Sequence, residues 1–153
     1  MRSTFFQRYH TKENVITNNV LQLLSQIKRH KPQIFNDILC YLMNINQQVD
    51  FDTIMTMQER LNTSIPDAVI SQPSYKVIVE TKIGTDFRNE QIQGHLDAFK
   101  DEDYQVLLTI DSYEISKQHQ LEFDGIIRRH NFEHGTHVKH VHVTFANIIT
   151  CIR

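Results

Sequence analysis

Asp67, Glu80 and Lys82 have the residue types and spacing for metal-assisted hydrolysis. Asp67 follows Pro66 near the start of a stretch that reads as a strand, residues 65–70. Glu80 and Lys82 close another, residues 76–82, whose Val77-Ile78-Val79 run is too apolar for a wet face and belongs inside a sheet. Side chains alternate along a strand, so Glu80 and Lys82 project from one face, about 7 Å apart. If the two strands form an antiparallel hairpin, Asp67 lies beside the end that carries Glu80. Two carboxylates then converge on one divalent cation, with the Thr81 backbone carbonyl as a further oxygen ligand. Hard oxygen donors with open water positions suit Mg²⁺, or Mn²⁺ in its place. The cation would activate a water and shield a phosphate oxygen. Lys82 would orient that water or stabilise developing negative charge. The ordinary alternative is a solvated Glu80–Lys82 ion pair, which contributes little. An acid and a lysine in a Val/Ile run are costly to bury without a purpose, which favours the catalytic reading.

The elements that must position these residues follow from hydrophobic spacing. Residues 12–29 carry Val15, Ile16, Val20, Leu21, Leu23, Leu24 and Ile27 at three- and four-residue intervals, an amphipathic helix with Thr11 as N-cap. Pro32 restarts the chain, and Ile34, Phe35, Ile38, Leu39, Leu42 and Met43 form a second helical stripe. Val49, Phe51, Met55 and Met57 alternate with polar residues, as in a half-buried strand. Residues 71–74 read as a turn, 86–100 as a helix and 104–110 as a short apolar strand. Residues 123–129 fit either a short helix or a strand, 138–145 alternate as a strand, and a last helix begins near Ala146. It shows no C-cap signal by Arg153, so either this helix is short or the chain leads into a further domain, the second being favoured.

Pro66-Asp67, a gap of 12 residues, then Glu80-Thr81-Lys82 resembles the PD-(D/E)xK nuclease superfamily, which includes many restriction endonucleases. Glu13, opening the first helix, is similar to the acidic residue that many members add to the metal site. Gln91-Ile92-x-x-His95 is similar to the family's Gln-Leu-x-x-Tyr pattern, with His95 in place of the aromatic residue. The resemblance implies an α/β, restriction-endonuclease-like αβββαβ core, a mixed central sheet flanked by helices. It covers about residues 10–112, with 113–153 as a C-terminal extension of a single domain. It also implies a Mg²⁺-dependent nuclease acting on DNA in a defence or restriction context, with Gln91 and Glu13 supporting the site. The alternative is a catalytically silent nuclease-like domain used for nucleic-acid binding or assembly.

Composition restrains this reading. The chain has 153 residues and a formal net charge of -2, so it lacks the basic surplus of many nucleic-acid-binding proteins. A second subunit or an attached domain is therefore expected to hold the DNA. Cys40 and Cys151 are isolated, which points to a reducing, cytoplasmic setting. No membrane-spanning run and no signal peptide is read. Arg88 is read as a solvated helix residue rather than a phosphate contact. His130, His134, His137, His140 and His142 fall close together. His140 and His142 share a strand face, where a zinc ion is sterically conceivable, although the spacing matches no zinc module. The milder reading is a surface that becomes cationic below about pH 6.5.

Overall fold

The computed structural model describes residues 12–44, 54–57, 64–72, 75–84 and 87–152. Two helices open it, α1 (Lys12–His30) and α2 (Pro32–Met43). Three strands follow, β1 (Ile54–Met57), β2 (Ala68–Gln72) and β3 (Tyr75–Thr81). Then come α3 (Asn89–Leu96), β4 (Tyr104–Asp111), α4 (Lys117–His134), β5 (Lys139–Thr144) and α5 (Phe145–Ile152). The protein is mixed α/β. Its strands form one mixed sheet in the order β1-β2-β3-β4-β5. The pairs β1/β2 and β2/β3 are antiparallel, while β3/β4 and β4/β5 are parallel.

Both faces of the sheet are covered, which explains why β3 and β4 read as continuous apolar runs. On one face, Val77, Val79, Val106, Leu108 and Ile110 pack with Leu21 and Leu24 of α1, Phe35 and Ile38 of α2, and Ile148 of α5. On the other, Ile78 and Leu107 pack with Ile92 and Leu96 of α3 and Phe123 and Ile127 of α4. Residues 113–153 thus supply side chains to both cores and a strand to the sheet. Cys40 and Cys151 are half-buried and pack at the margin of the first core.

Several boundaries differ from the sequence reading. The strand placed at 65–70 begins at Ala68 and continues through Ser71 and Gln72, which pair with Lys76 and Tyr75 instead of turning. Pro66 has no N–H to offer a ladder, so the strand starts after it. The helix placed at 86–100 is shorter, ending at Leu96. The ambiguous 123–129 stretch lies inside the 18-residue α4. That helix starts where the Ser116 hydroxyl caps the His119 N–H at 3.1 Å, and it ends at Gly135 with φ +67°. Its buried stripe holds Phe123, Ile127 and His130, too narrow to mark a helix from spacing alone. Thr11, Val49 and Phe51 lie outside the described residues.

In α1, the expected apolar stripe is only partly used. Leu21 and Leu24 are buried, while Val15 and Leu23 are exposed. Two polar residues, Thr17 and Asn18, are buried in their stead. A helix that buries polar residues on its inner face needs polar groups to receive them. For Thr17 that group is the hydroxyl of Thr81, the last residue of β3.

The loop leaving β3 is held by Asp111, whose Oδ1 accepts the Gly84 N–H at 2.9 Å and the Ser112 N–H at 2.5 Å. Gly84 has φ +136°, a conformation almost reserved for glycine, although a Cβ there would meet no atom within 4 Å. Gly84→Ala is therefore expected to lower stability by about 1–3 kcal/mol through backbone strain alone. Urea melts of the two proteins read this directly, and an unchanged midpoint would contradict it.

Candidate active site

The β2/β3 register ends with Ala68 opposite Val79, so Asp67 and Glu80, the next residue on each side, lie at the same end of the pair. The antiparallel pairing on which the sequence reading is conditional is present between β2 and β3. Asp67 Oδ2 accepts the Thr81 backbone N–H at 2.8 Å and the Thr81 hydroxyl at 2.6 Å. The same hydroxyl oxygen is hydrogen-bonded to Thr17 of α1. Asp67 is thereby fixed beside the end of β3 while both Thr81 contacts use a single carboxylate oxygen.

Glu80 is buried at 2% exposure and has three side-chain partners. The Lys82 ammonium lies 3.1 Å from Oε1, and the Gln91 amide donates to the same oxygen at 2.5 Å. His95 Nε2 lies 2.9 Å from Oε2. The Lys82 and Glu80 side chains are only 17% and 3% exposed, so this is not the solvated ion pair of the ordinary reading. A buried carboxylate with one cationic and two polar partners is a high-stakes arrangement, stable only while those partners remain.

Burial, and next the negative charge of Glu80, hold the Asp67 carboxyl above its usual range. The two Thr81 donors and Lys82 act in the opposite direction and do not overcome them. Two acids in this relation favour a cation between them or a proton on one. A second sign is Gln91 Oε1, a buried oxygen with no hydrogen-bond partner among the described residues. Its amide nitrogen must face the carboxylate, so flipping the amide offers no relief.

Asp67, Glu80, Thr81, Lys82 and Gln91 therefore come together. Glu13 lies in the first turn of α1, one turn before Thr17, but its side chain lies outside the described residues. Arg88 is exposed at the N-cap of α3. Sequence reasoning missed Thr17, Ser64 and Asp111 as members of this neighbourhood, and named His95 only as the residue standing in place of an aromatic, without a role. His95 carried a signal, being one helical turn after Gln91 and on the same face. Asp111 carried a weaker one, as the acid that ends the next parallel strand. Ligand crevices in open α/β sheets lie outside such carboxyl ends of strands.

Among the described residues, no group of three or more His, Cys, Asp or Glu side chains is arranged to hold a metal ion. A site here rests on Asp67 and Glu80. That donor set fits Mg²⁺, which is commonly held by one or two carboxylates and completed by water and phosphate oxygens.

The histidine run does not form a second centre. His140 Nε2 and His142 Nδ1 both contact Thr109 Oγ1, at 2.8 and 2.9 Å. Their other nitrogens meet Gln120 Nε2 and the Tyr113 carbonyl. All four ring nitrogens face protein partners, so the zinc reading is not supported at these two positions. Burial, and next the charge of His142, push His140 down to about 4. The unfolded chain takes up this proton near pH 6.5, the folded one only near pH 4. The resulting stability is complete above pH 6.5 and falls as pH drops toward 4. By pH 5 the loss is about 2 kcal/mol. His140→Gln should flatten the pH 7 to pH 5 difference in urea-unfolding free energy by that amount. An unchanged difference would contradict the assignment.

No helix among the described residues is long and apolar enough to cross a membrane. In comparisons with known proteins, the chain matches no protein-family model, no curated sequence and no solved structure.

Proposed function

We propose that this chain is a Mg²⁺-dependent nuclease of the PD-(D/E)xK type, with a restriction-endonuclease-like core, hydrolysing phosphodiester bonds in DNA. The observation that carries the reading is that Asp67, bonded to Thr81, and Glu80 stand at the same end of the β2/β3 pair, with the Lys82 ammonium 3.1 Å from Glu80. The element order also supports it. After the opening helices come three strands, a helix bearing Gln91, and a strand parallel to β3.

Asp67 and Glu80 would hold the cation, with the Thr81 carbonyl and Glu13 as further candidate ligands. Bound Mg²⁺ supplies Lewis acidity toward a water and charge neutralisation at a phosphate oxygen. The protein's own groups do the rest. Gln91 and His95 fix the direction of the Glu80 carboxylate. Lys82 places positive charge where the phosphate gains negative charge. Water oxygen forms a new P–O bond, one ester P–O bond breaks, and the departing oxygen takes a proton. Thr17 and Thr81 hold Asp67 against the charge of Glu80, a cost accepted at functional sites.

With a formal charge of -2, affinity for DNA alone is expected to be modest and salt-sensitive. A second subunit or an attached domain is the expected source of grip, with the cytoplasm as the setting. The test is nicking of supercoiled plasmid in Mg²⁺ or Mn²⁺, with Asp67→Asn as control. Nicking by wild type alone supports the reading. Equal nicking by both proteins, or none by either on duplex DNA, single strands or RNA, contradicts it.

A further inference from the structure

His95 is 0% exposed, and both ring nitrogens have partners. Nε2 lies 2.9 Å from Glu80 Oε2, and Nδ1 lies 2.8 Å from the Ser64 hydroxyl oxygen. Ser64 is three residues before Asp67, on the segment that leads into β2. One ring thus touches both arms that carry the two carboxylates. The ring itself is held by α3, whose Ile92 and Leu96 are fully buried in the core beneath the sheet. Gln91, one helical turn earlier, holds the other oxygen of Glu80. The helix therefore grips Glu80 with a two-pronged fork and uses the free end of one prong to reach Ser64.

We propose that His95 is a positioning residue: it bridges Ser64 and Glu80 and so sets how closely the Asp67 arm approaches Glu80. The inference rests on the cation-site reading above. With Glu80 Oε2 accepting the Nε2–H, Nδ1 is left to accept the Ser64 O–H. A tyrosine at this position, as in the pattern the helix resembles, has one polar atom and cannot make both contacts. The bridge is thus a property of this chain's own residues.

The test is Mn²⁺ titration by calorimetry of wild type, Ser64→Ala, His95→Tyr, the double variant and Ser64→Thr. Melting curves confirm that each is folded. Loss of a group that orients a metal ligand typically weakens affinity about 10- to 100-fold. Ser64→Ala and His95→Tyr should each weaken Mn²⁺ binding by about 10-fold, and the double variant should be no weaker than either. Ser64→Thr keeps the hydroxyl and should bind as wild type does. Wild-type affinity in Ser64→Ala, with binding lost in Asp67→Asn, overturns the bridge and leaves the cation site standing. Absence of Mn²⁺ binding by wild type overturns the site itself. The bridge is then read from nitrogen NMR of the metal-free protein. Ser64→Ala should move the His95 Nδ1 resonance and leave Nε2 in place, and an unmoved Nδ1 overturns it.

Discussion

Asp67→Asn is expected to reduce Mg²⁺-dependent cleavage by at least about 10³-fold while leaving the melting temperature unchanged or raised. The two halves of this result have one cause. Asp67 is held above its ordinary carboxyl range by burial and by Glu80, so its ionised form is disfavoured in the folded chain. At neutral pH the folded state carries that penalty, which shrinks as pH falls through the raised value. Asparagine removes the charge and keeps an oxygen for the Thr81 N–H and hydroxyl, which now meet Asp67 at 2.8 and 2.6 Å. It also removes half of the carboxylate pair. Activity and stability should therefore move apart, as they do where a site is built for function. Plasmid nicking and thermal melts on the same preparations check this. A variant that loses stability in step with activity would mean that Asp67 is a structural acid.

Lys82→Met should separate chemistry from cation binding. The Lys82 ammonium lies 3.1 Å from Glu80 Oε1 and so competes with any cation for that oxygen. Its loss should leave Mn²⁺ affinity equal or tighter and lower the cleavage rate by about 10²–10³-fold, the range for a removed electrostatic stabiliser. Glu80 keeps Gln91 and His95, so the stability loss should be less than the roughly 3–5 kcal/mol of a bare buried charge. Calorimetry with Mn²⁺ and single-turnover cleavage read the two effects separately. Weaker Mn²⁺ binding with an unchanged cleavage rate would reverse the assigned role.

These two residues and Glu80 were legible in the sequence because strand alternation is strict. A Val/Ile run with an acid and a lysine two residues apart has only one way to present them. Pairing with the strand after Asp67 was a condition of that reading, and β2 and β3 meet it. What stayed hidden is set by partners distant in the chain. The Thr17 to Thr81 contact spans 64 residues and the Ser64 to His95 contact 31, and neither has a local pattern. In α4 the failure was different. Buried Phe123, Ile127 and His130 leave most of its length polar, so the apolar period is faint and the helix is announced mainly by its caps, Ser116 and Gly135. The histidines of β5 share a face as alternation requires, but Thr109, Gln120 and the Tyr113 carbonyl use their nitrogens. Spacing located those rings without showing that they were already satisfied.

The most direct test of the central claim is a crystal soaked in Mn²⁺ and measured for anomalous scattering. The expected result is one peak between the Asp67 and Glu80 carboxylates, with oxygen distances typical of a hard divalent cation, and its loss in Asp67→Asn. A peak elsewhere, or a bound ion that touches Glu80 and not Asp67, would contradict the proposed metal-dependent nuclease.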